Sequence, residues 1–553
     1  MSSKPCSSSS DSDTKLPSSA LLPVALSVRE NPSTKRHKLF VHLAFFCIAA
    51  AFSAFCFIHR GQQANAEMQK HTFYHNVSRV SLPCASGMVN ASVSYAGHIG
   101  LEGDSKDAPK RSFFWYFSAE ENPEDAPLIL SMGGGPGTSG LMNALWGQSP
   151  CLVTEEGLTE NPNRWTQKHN LLILDHPIGA GFSYGTRVNN SFDARADAYD
   201  FLQKFFVLFP QLARNKLVLS GGSYGGIHVP NIATAIHQHN LLIGAGKGLP
   251  GTQHVNLEAL ILSNPLSNPH AHFSWLLHYR CVTHQLHNAT TCANFYTKLP
   301  ACLDAIQMAF DTSKLEHRQA AAGACWPLAA EVPGINTEDI REECANEPTD
   351  EEDAVGCHEE FVWVPHALDN TTTYTADGRI LTVREALGLP PPSKLPYKSL
   401  NRRVAEEFGG QGDMRVAFFL YESWLTDGGR FRPHHELYTP LLEAGIRVLH
   451  YTGLQDANCA WPGIESFLTL LQSPYQTAFR AAPDIPWATG SDSDAEGGSD
   501  AGLVTVRAVG DAAHTAGNFA HVRVEGAGHF TVKDQPALAK RIVETWVADE
   551  PWF

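Results

Sequence analysis

Basic side chains are in deficit: 41 Lys and Arg stand against 57 Asp and Glu, a formal net charge of -16. A phosphate-gripping surface needs clustered Lys and Arg, so no nucleic acid partner is expected. Charged residues of either sign reach only 18%, against 43% hydrophobic, which is the composition of a globular enzyme and excludes a disordered scaffold. Residues 1–31 lack any apolar period and are rich in Ser and Pro. Such a stretch cannot offset the entropy of ordering, and residues 1–38 read as a disordered tail.

Residues 39–58 are apolar over twenty positions, the helical length that crosses a hydrocarbon core of about 30 Å. Arg29, Lys35, Arg36 and Lys38 precede this run and only Arg60 follows it closely. The positive-inside rule then predicts a single-pass type II membrane anchor, with a stem over 59–72 and the remainder in a lumen or outside the cell. The alternative is a cleaved signal peptide and a secreted chain. Five N-x-S/T sequons, at Asn76, Asn90, Asn189, Asn288 and Asn370, all follow the run and are expected glycosylation sites.

Nine of the twelve cysteines lie beyond the apolar run, six of them at 281, 292, 302, 325, 344 and 357. That region has no C-x-x-C or H-x-x-x-H pair, so disulfides are expected and no metal or cofactor is implied. With Cys84 and Cys151 the set reaches eight, leaving Cys459 as the odd thiol.

Short apolar runs at 128–130, 171–174, 217–219 and 257–262 end in Gly, Asp-Pro or Asn-Pro turns and read as buried parallel strands. Helix-like stretches lie between them, at 193–208 and 229–238. Alternation of this kind predicts an α/β fold with a mostly parallel central sheet and helices on both faces. The pattern breaks near Pro269 and resumes at 447–451 and 520–524. The expected layout is a hydrolase domain in two parts, 73–269 and 431–553, with an inserted disulfide-rich lid subdomain at 270–430.

Ser223 stands in Gly221-Gly222-Ser223-Tyr224-Gly225, between an apolar strand and a helical run. A nucleophile on a tight strand-to-helix turn needs small neighbours, because flanking side chains would collide. A serine hydroxyl also needs an imidazole, and the imidazole a carboxylate. His529, after the last strand, and Asp456, after 447–451, complete the order Ser, Asp, His of α/β-hydrolases. Gly133-Gly134-Gly135-Pro136-Gly137 follows a strand and can offer an oxyanion an N–H, with Tyr224 supplying the second. No Lys-Ser/Thr follows these glycines, which excludes a phosphate-binding loop.

The ordered blocks GGGPGTSG (133–140), LLILDHPIGAGFSY (171–184), GGSYGGIHVPNIA (221–233), YTGLQDANCAWPG (451–463) and GAGHFTVKDQP (526–536) resemble the serine carboxypeptidases, peptidase family S10. The resemblance implies an α/β-hydrolase fold, Ser223, Asp456 and His529 as triad, Gly135 and Tyr224 as oxyanion donors, and Cys459 as a thiol near the site. It also implies a clamp on the substrate's terminal carboxylate, made by an Asn and two Glu. Here those positions read Gly133, Gly222 and Gly147. Hydrogen bonds to a charged group contribute about 1.5–3 kcal/mol each, so losing two or three weakens carboxylate recognition by roughly a hundredfold or more. Gly134 and Phe530, which stands where Met is usual, complete the expected substrate-binding set.

Three readings follow: a carboxypeptidase acting on peptides, an esterase, amidase or acyltransferase acting on small acyl substrates, and a non-catalytic lumenal binding protein.

Overall fold

In a computed structural model, residues 73–82, 84, 92–330, 332–344, 366–375, 378–389, 427–487 and 504–553 are described. Among them no helix is long and apolar enough to cross a membrane. The expected membrane anchor at 39–58, and the type II topology built on it, are corrected accordingly. That segment, the tail and the stem up to residue 72 lie outside the described residues.

A twelve-stranded sheet organises the chain. Its strands are β1 (His75–Val80), β2 (Ser94–Gly100), β3 (Lys110–Phe117), β4 (Leu128–Met132), β5 (Asn170–Leu174), β6 (Tyr184–Gly185), β7 (Leu217–Gly222), β8 (Leu257–Ser263), β9 (Arg447–Gly453), β10 (Ile485–Pro486), β11 (Val504–Val509) and β12 (Phe519–Val524). The spatial order is β1-β2-β3-β5-β4-β7-β8-β9-β12-β11-β10, with β6 beside β3. The six central strands from β5 to β12 pair in parallel. Antiparallel strands flank them on both edges. The sheet of this α/β-hydrolase fold is therefore mixed, though largely parallel at its centre.

Every residue of β4 and of β5 is buried, as expected where both faces are covered. Ile129, Ile173, Val218, Ile261 and Leu449 face one core, shared with Ile542, Val543 and Trp546 of helix α7 (Pro536–Ala548). Leu130, Leu172, Leu219, Leu260 and Val448 face the other. That second core includes Phe201 and Phe205 of helix α1 (Ser191–Leu208) and Val229 and Ile232 of helix α2 (Gly225–Gly244). Helix α1 starts where the Asn190 side chain accepts from the backbone N–H of Asp193, an N-cap that satisfies one unpaired donor.

The segment after β8 forms helices α3 (Pro269–His278), α4 (Ala289–Thr312) and α5 (Leu315–Cys325). Disulfides Cys281–Cys292 and Cys302–Cys325 staple it, around Phe273, Leu276, Phe295, Ile306 and Phe431. The expected discrete lid subdomain is not distinguished, because residues 71–553 form one compact unit. The physical reason lies in α3, whose Ala271 belongs to the second sheet core. A side chain at Gly463 of helix α6 (Trp461–Leu470) would come within 3.3 Å of the Ala271 carbonyl, so the two helices pack closely.

A third disulfide joins Cys84 to Cys151. Cys344 is also disulfide-bonded, Cys459 is free and buried, and Cys357 lies outside the described residues. Asn76, Asn189, Asn288 and Asn370 are exposed, and Asn90 lies outside the described residues.

Candidate active site

Strands β4, β7, β8, β9 and β12 are successive neighbours, and their carboxyl ends share one rim. In open parallel sheets that rim is where ligands bind. Ser223 follows β7 and Asn264 follows β8, while Asp456 and His529 lie on the loops leaving β9 and β12. Sheet order thus gathers residues far apart in the chain.

The backbone at Ser223 has φ +55°, a conformation that costs a non-glycine residue of order 1–3 kcal/mol. Hydrogen bonds hold it there. Ser223 N–H donates to the Ser263 carbonyl at 3.0 Å, and its own carbonyl accepts from Gly226 at 2.9 Å and Leu266 at 2.8 Å. The crowding expected around this turn falls on Gly226, where a Cβ would lie 2.6 Å from Pro265, whereas Gly225 has open space.

Asp456 is fully buried. Its Oδ1 accepts from the backbone N–H groups of Asn458 (2.7 Å) and Cys459 (2.9 Å). Its Oδ2 accepts from Asn264 Nδ2 (2.8 Å) and His529 Nδ1 (2.6 Å). The His529 backbone N–H donates to the Glu338 carbonyl at 2.7 Å, and Gly528 N–H donates to Asp534 at 2.7 Å. Burial alone would lower the His529 pKa. The charge and hydrogen bond of Asp456 outweigh it, with Glu338 and Asp534 acting in the same sense, so the ring holds its proton more tightly than a free imidazole. Burial likewise pushes the Cys459 thiol up, well above its ordinary value, which makes it a poor nucleophile.

Ser223 and His529 line one cavity of about 390 Å³. No hydrogen bond joins the hydroxyl to the ring, and such contacts commonly tighten only when substrate binds. Gly134, Gly135, Gly222, Tyr224, Phe530 and Cys459 share the cavity wall. A Cβ on Gly134 would stand 2.8 Å from Ser223 Cβ and 3.2 Å from Tyr224 N, so this glycine lets the loop run against the nucleophile turn.

Gly133 and Gly147 are not on the wall, and neither position has room for a side chain. A Cβ on Gly133 would meet the Thr138 carbonyl at 2.1 Å, and one on Gly147 would meet Val532 Cγ2 and O, both at 2.5 Å. At Gly222 the nearest atom would be Ser263 O at 3.3 Å. At two positions of the expected clamp a side chain is thus blocked, by the Thr138 backbone and by Val532. Neutral Asn143 and Gln148 line the cavity, and the Ser131 hydroxyl donates to Gln148 Oε1 at 2.8 Å.

A family model described as serine carboxypeptidase matches residues 85–549. The chain belongs to the serine carboxypeptidase family. Among curated relatives of this carboxypeptidase-like chain, a carboxypeptidase Y homolog A from Sclerotinia sclerotiorum is 26% identical over 466 residues, 82% of this chain and 73% of that one. Carboxypeptidase Y of Komagataella phaffii is 26% identical over 477 residues, 84% of this chain and 77% of that one. A solved prohormone-processing carboxypeptidase from Saccharomyces cerevisiae superposes with a TM-score of 0.65 at 22% identity, covering 85% of this chain and 95% of the other. That last likeness carries the α/β-hydrolase fold. The protein is a serine-carboxypeptidase-like hydrolase of family S10, consistent with acyl-enzyme peptidase chemistry.

Sequence reasoning did not single out Asn264, Glu338, Arg430, Asn143 or Gln148, although all five bear on the site or its cavity. Asn264 had a signal, the Asn-Pro pair ending β8, which reads equally as a strand terminator. The others are single polar residues without a local pattern.

Proposed function

We propose that this hydrolase releases the C-terminal residue of a peptide, with Ser223 as nucleophile, His529 as general base and Asp456 as the carboxylate that orients it. The observation that carries this reading is the 2.6 Å bond from His529 Nδ1 to a buried, fully bonded Asp456. It leaves Nε2 as the ring nitrogen free to take the proton of the Ser223 hydroxyl as Oγ attacks the scissile carbonyl. The N–H groups of Gly135 and Tyr224 receive the oxyanion. The leaving amine then takes the proton back from His529, and water, activated by the same ring, hydrolyses the acyl-enzyme.

The disulfide-stapled helices α3 to α5 and the segment after them are read as a cover over the rim, since Trp326, Ala329, Glu338 and Arg430 line the cavity. Glycans on Asn76, Asn189, Asn288 and Asn370 are compatible with this arrangement, as none of the four lines the cavity.

A second reading, esterase, amidase or acyltransferase on small acyl substrates, is favoured by one observation: Thr138 and Val532 leave no room for a side chain at Gly133 and Gly147. One blocked dipeptide offered as free acid, amide and methyl ester separates the two. Preference for the free acid by tenfold or more in kcat/KM is the carboxypeptidase result. Indifference, or preference for the ester, selects the second reading.

A further inference from the structure

We propose that Arg430 recognises a carboxylate of the substrate, replacing from the cover what the glycine positions no longer provide. The proposal deepens the active-site reading above and rests on the same cavity. Arg430 lies in the turn Gly429–Phe431, whose Phe431 is fully buried in the helical cluster. On the other side Gly428, at φ +62°, closes on Arg318 so tightly that a Cβ would come within 2.7 Å of it. The turn is anchored at both ends, which aims its cation.

That cation lines the same cavity as Ser223 and His529, beside Leu266, His272 and Trp326, with its guanidinium carbon 5.7 Å from the Trp326 ring centroid. Its charge is felt at Tyr224, His272 and Cys459, each on the cavity wall. Among the described residues Arg430 has no ion pair, and its Nε is buried without a hydrogen-bond partner. Of the nearby acids, Asp427 accepts from Arg318 at 3.3 Å through Oδ1, and Glu338 from Asn458 at 3.4 Å through Oε1, while the second oxygen of each is buried without a hydrogen bond and neither forms an ion pair with Arg430 among the described residues.

A half-buried guanidinium with an unmet donor is costly unless an anion completes it. Its planar fork matches a carboxylate in geometry. Asn143 and Gln148, also on the wall, are neutral, and Arg430 is the one Arg or Lys among the described residues lining the cavity. Two sources supply that chemistry, the terminal α-carboxylate and an Asp or Glu side chain beside the scissile bond.

Equilibrium binding separates them without requiring turnover. In a Ser223→Ala background, calorimetry measures Kd for four blocked dipeptides, with Glu or Gln on the acyl side and each as free acid or amide. The expected result is tighter binding of the anionic ligands, lost by about tenfold or more on Arg430→Gln, partly kept by Arg430→Lys, and little changed for the neutral Gln amide. Loss confined to the free acids assigns the terminal carboxylate, and loss confined to the Glu ligands assigns the side chain. Equal binding of charged and neutral ligands, or an equal loss for both, overturns the proposal. Failure of the underlying catalytic reading shows separately, as absent turnover of all four ligands by the unmutated protein.

Discussion

Asp456 accepts four hydrogen bonds without any contact with water, and this fixes both the tautomer and the tilt of His529. Asp456→Asn keeps the shape but presents the wrong hydrogen-bonding partner to Nδ1. We expect kcat for a neutral ester to fall by roughly 10⁴ with little change in KM, a loss of the size such a swap causes in triads generally. The raised proton affinity of His529 sets the pH response, because the ring must be neutral to act as base. Activity should therefore rise with pH through a transition above 6.5, the ordinary imidazole value. Asn264→Ala removes one of the bonds to Oδ2; a pH–rate profile that kept the transition in place and at full height would count against this coupling. Ser223, Asp456 and His529, which the structure brings to one rim, were singled out from their order and from strand ends. Asn264 was not, since one side chain bridging β8 and β9 leaves no periodic trace.

At the scale of elements, the glycines that distinguish this rim are not equivalent. Gly147→Ala forces a Cβ against the Val532 backbone, and overpacking of this kind typically costs 1–3 kcal/mol. Gly222→Ala meets nothing nearer than 3.3 Å and should stay within about 0.5 kcal/mol of the parent. Urea denaturation of both variants reads the difference, and equal stabilities would show that the Val532 segment yields freely. The central strands were legible because burial on both faces makes each a continuous apolar run. The edge strands were harder: β1 is mostly exposed, and β10 spans two residues. The cysteine spacing announced disulfides, yet not that α3 would pack on α6 and fuse the insertion to the sheet domain.

For the whole molecule, burial governs the response to acid. It lowers the pKa of His98, His169 and His434 to about 4, and of His176, His272 and His450 to about 3. The unfolded chain binds protons at these groups near 6.5, so stability is lost as pH falls from there towards 3–4. Asp175, raised to about 6 by burial, and His529 act in the opposite sense, but they are outnumbered. The melting temperature should fall between pH 7 and pH 4.5, and a flat profile would mean that these rings are not buried as neutral species. The ordered motif blocks identified the family that the chain belongs to, whereas an apolar run of spanning length did not establish a membrane helix.

Active-site phosphonylation tests the assembly of Ser223, His529 and Asp456 into one working site most directly. Intact mass and peptide mapping after treatment with a fluorophosphonate should show one adduct per chain, on Ser223, absent from Ser223→Ala and slowed about 10³-fold or more by His529→Ala. An adduct on another residue, or a rate indifferent to His529, would contradict it.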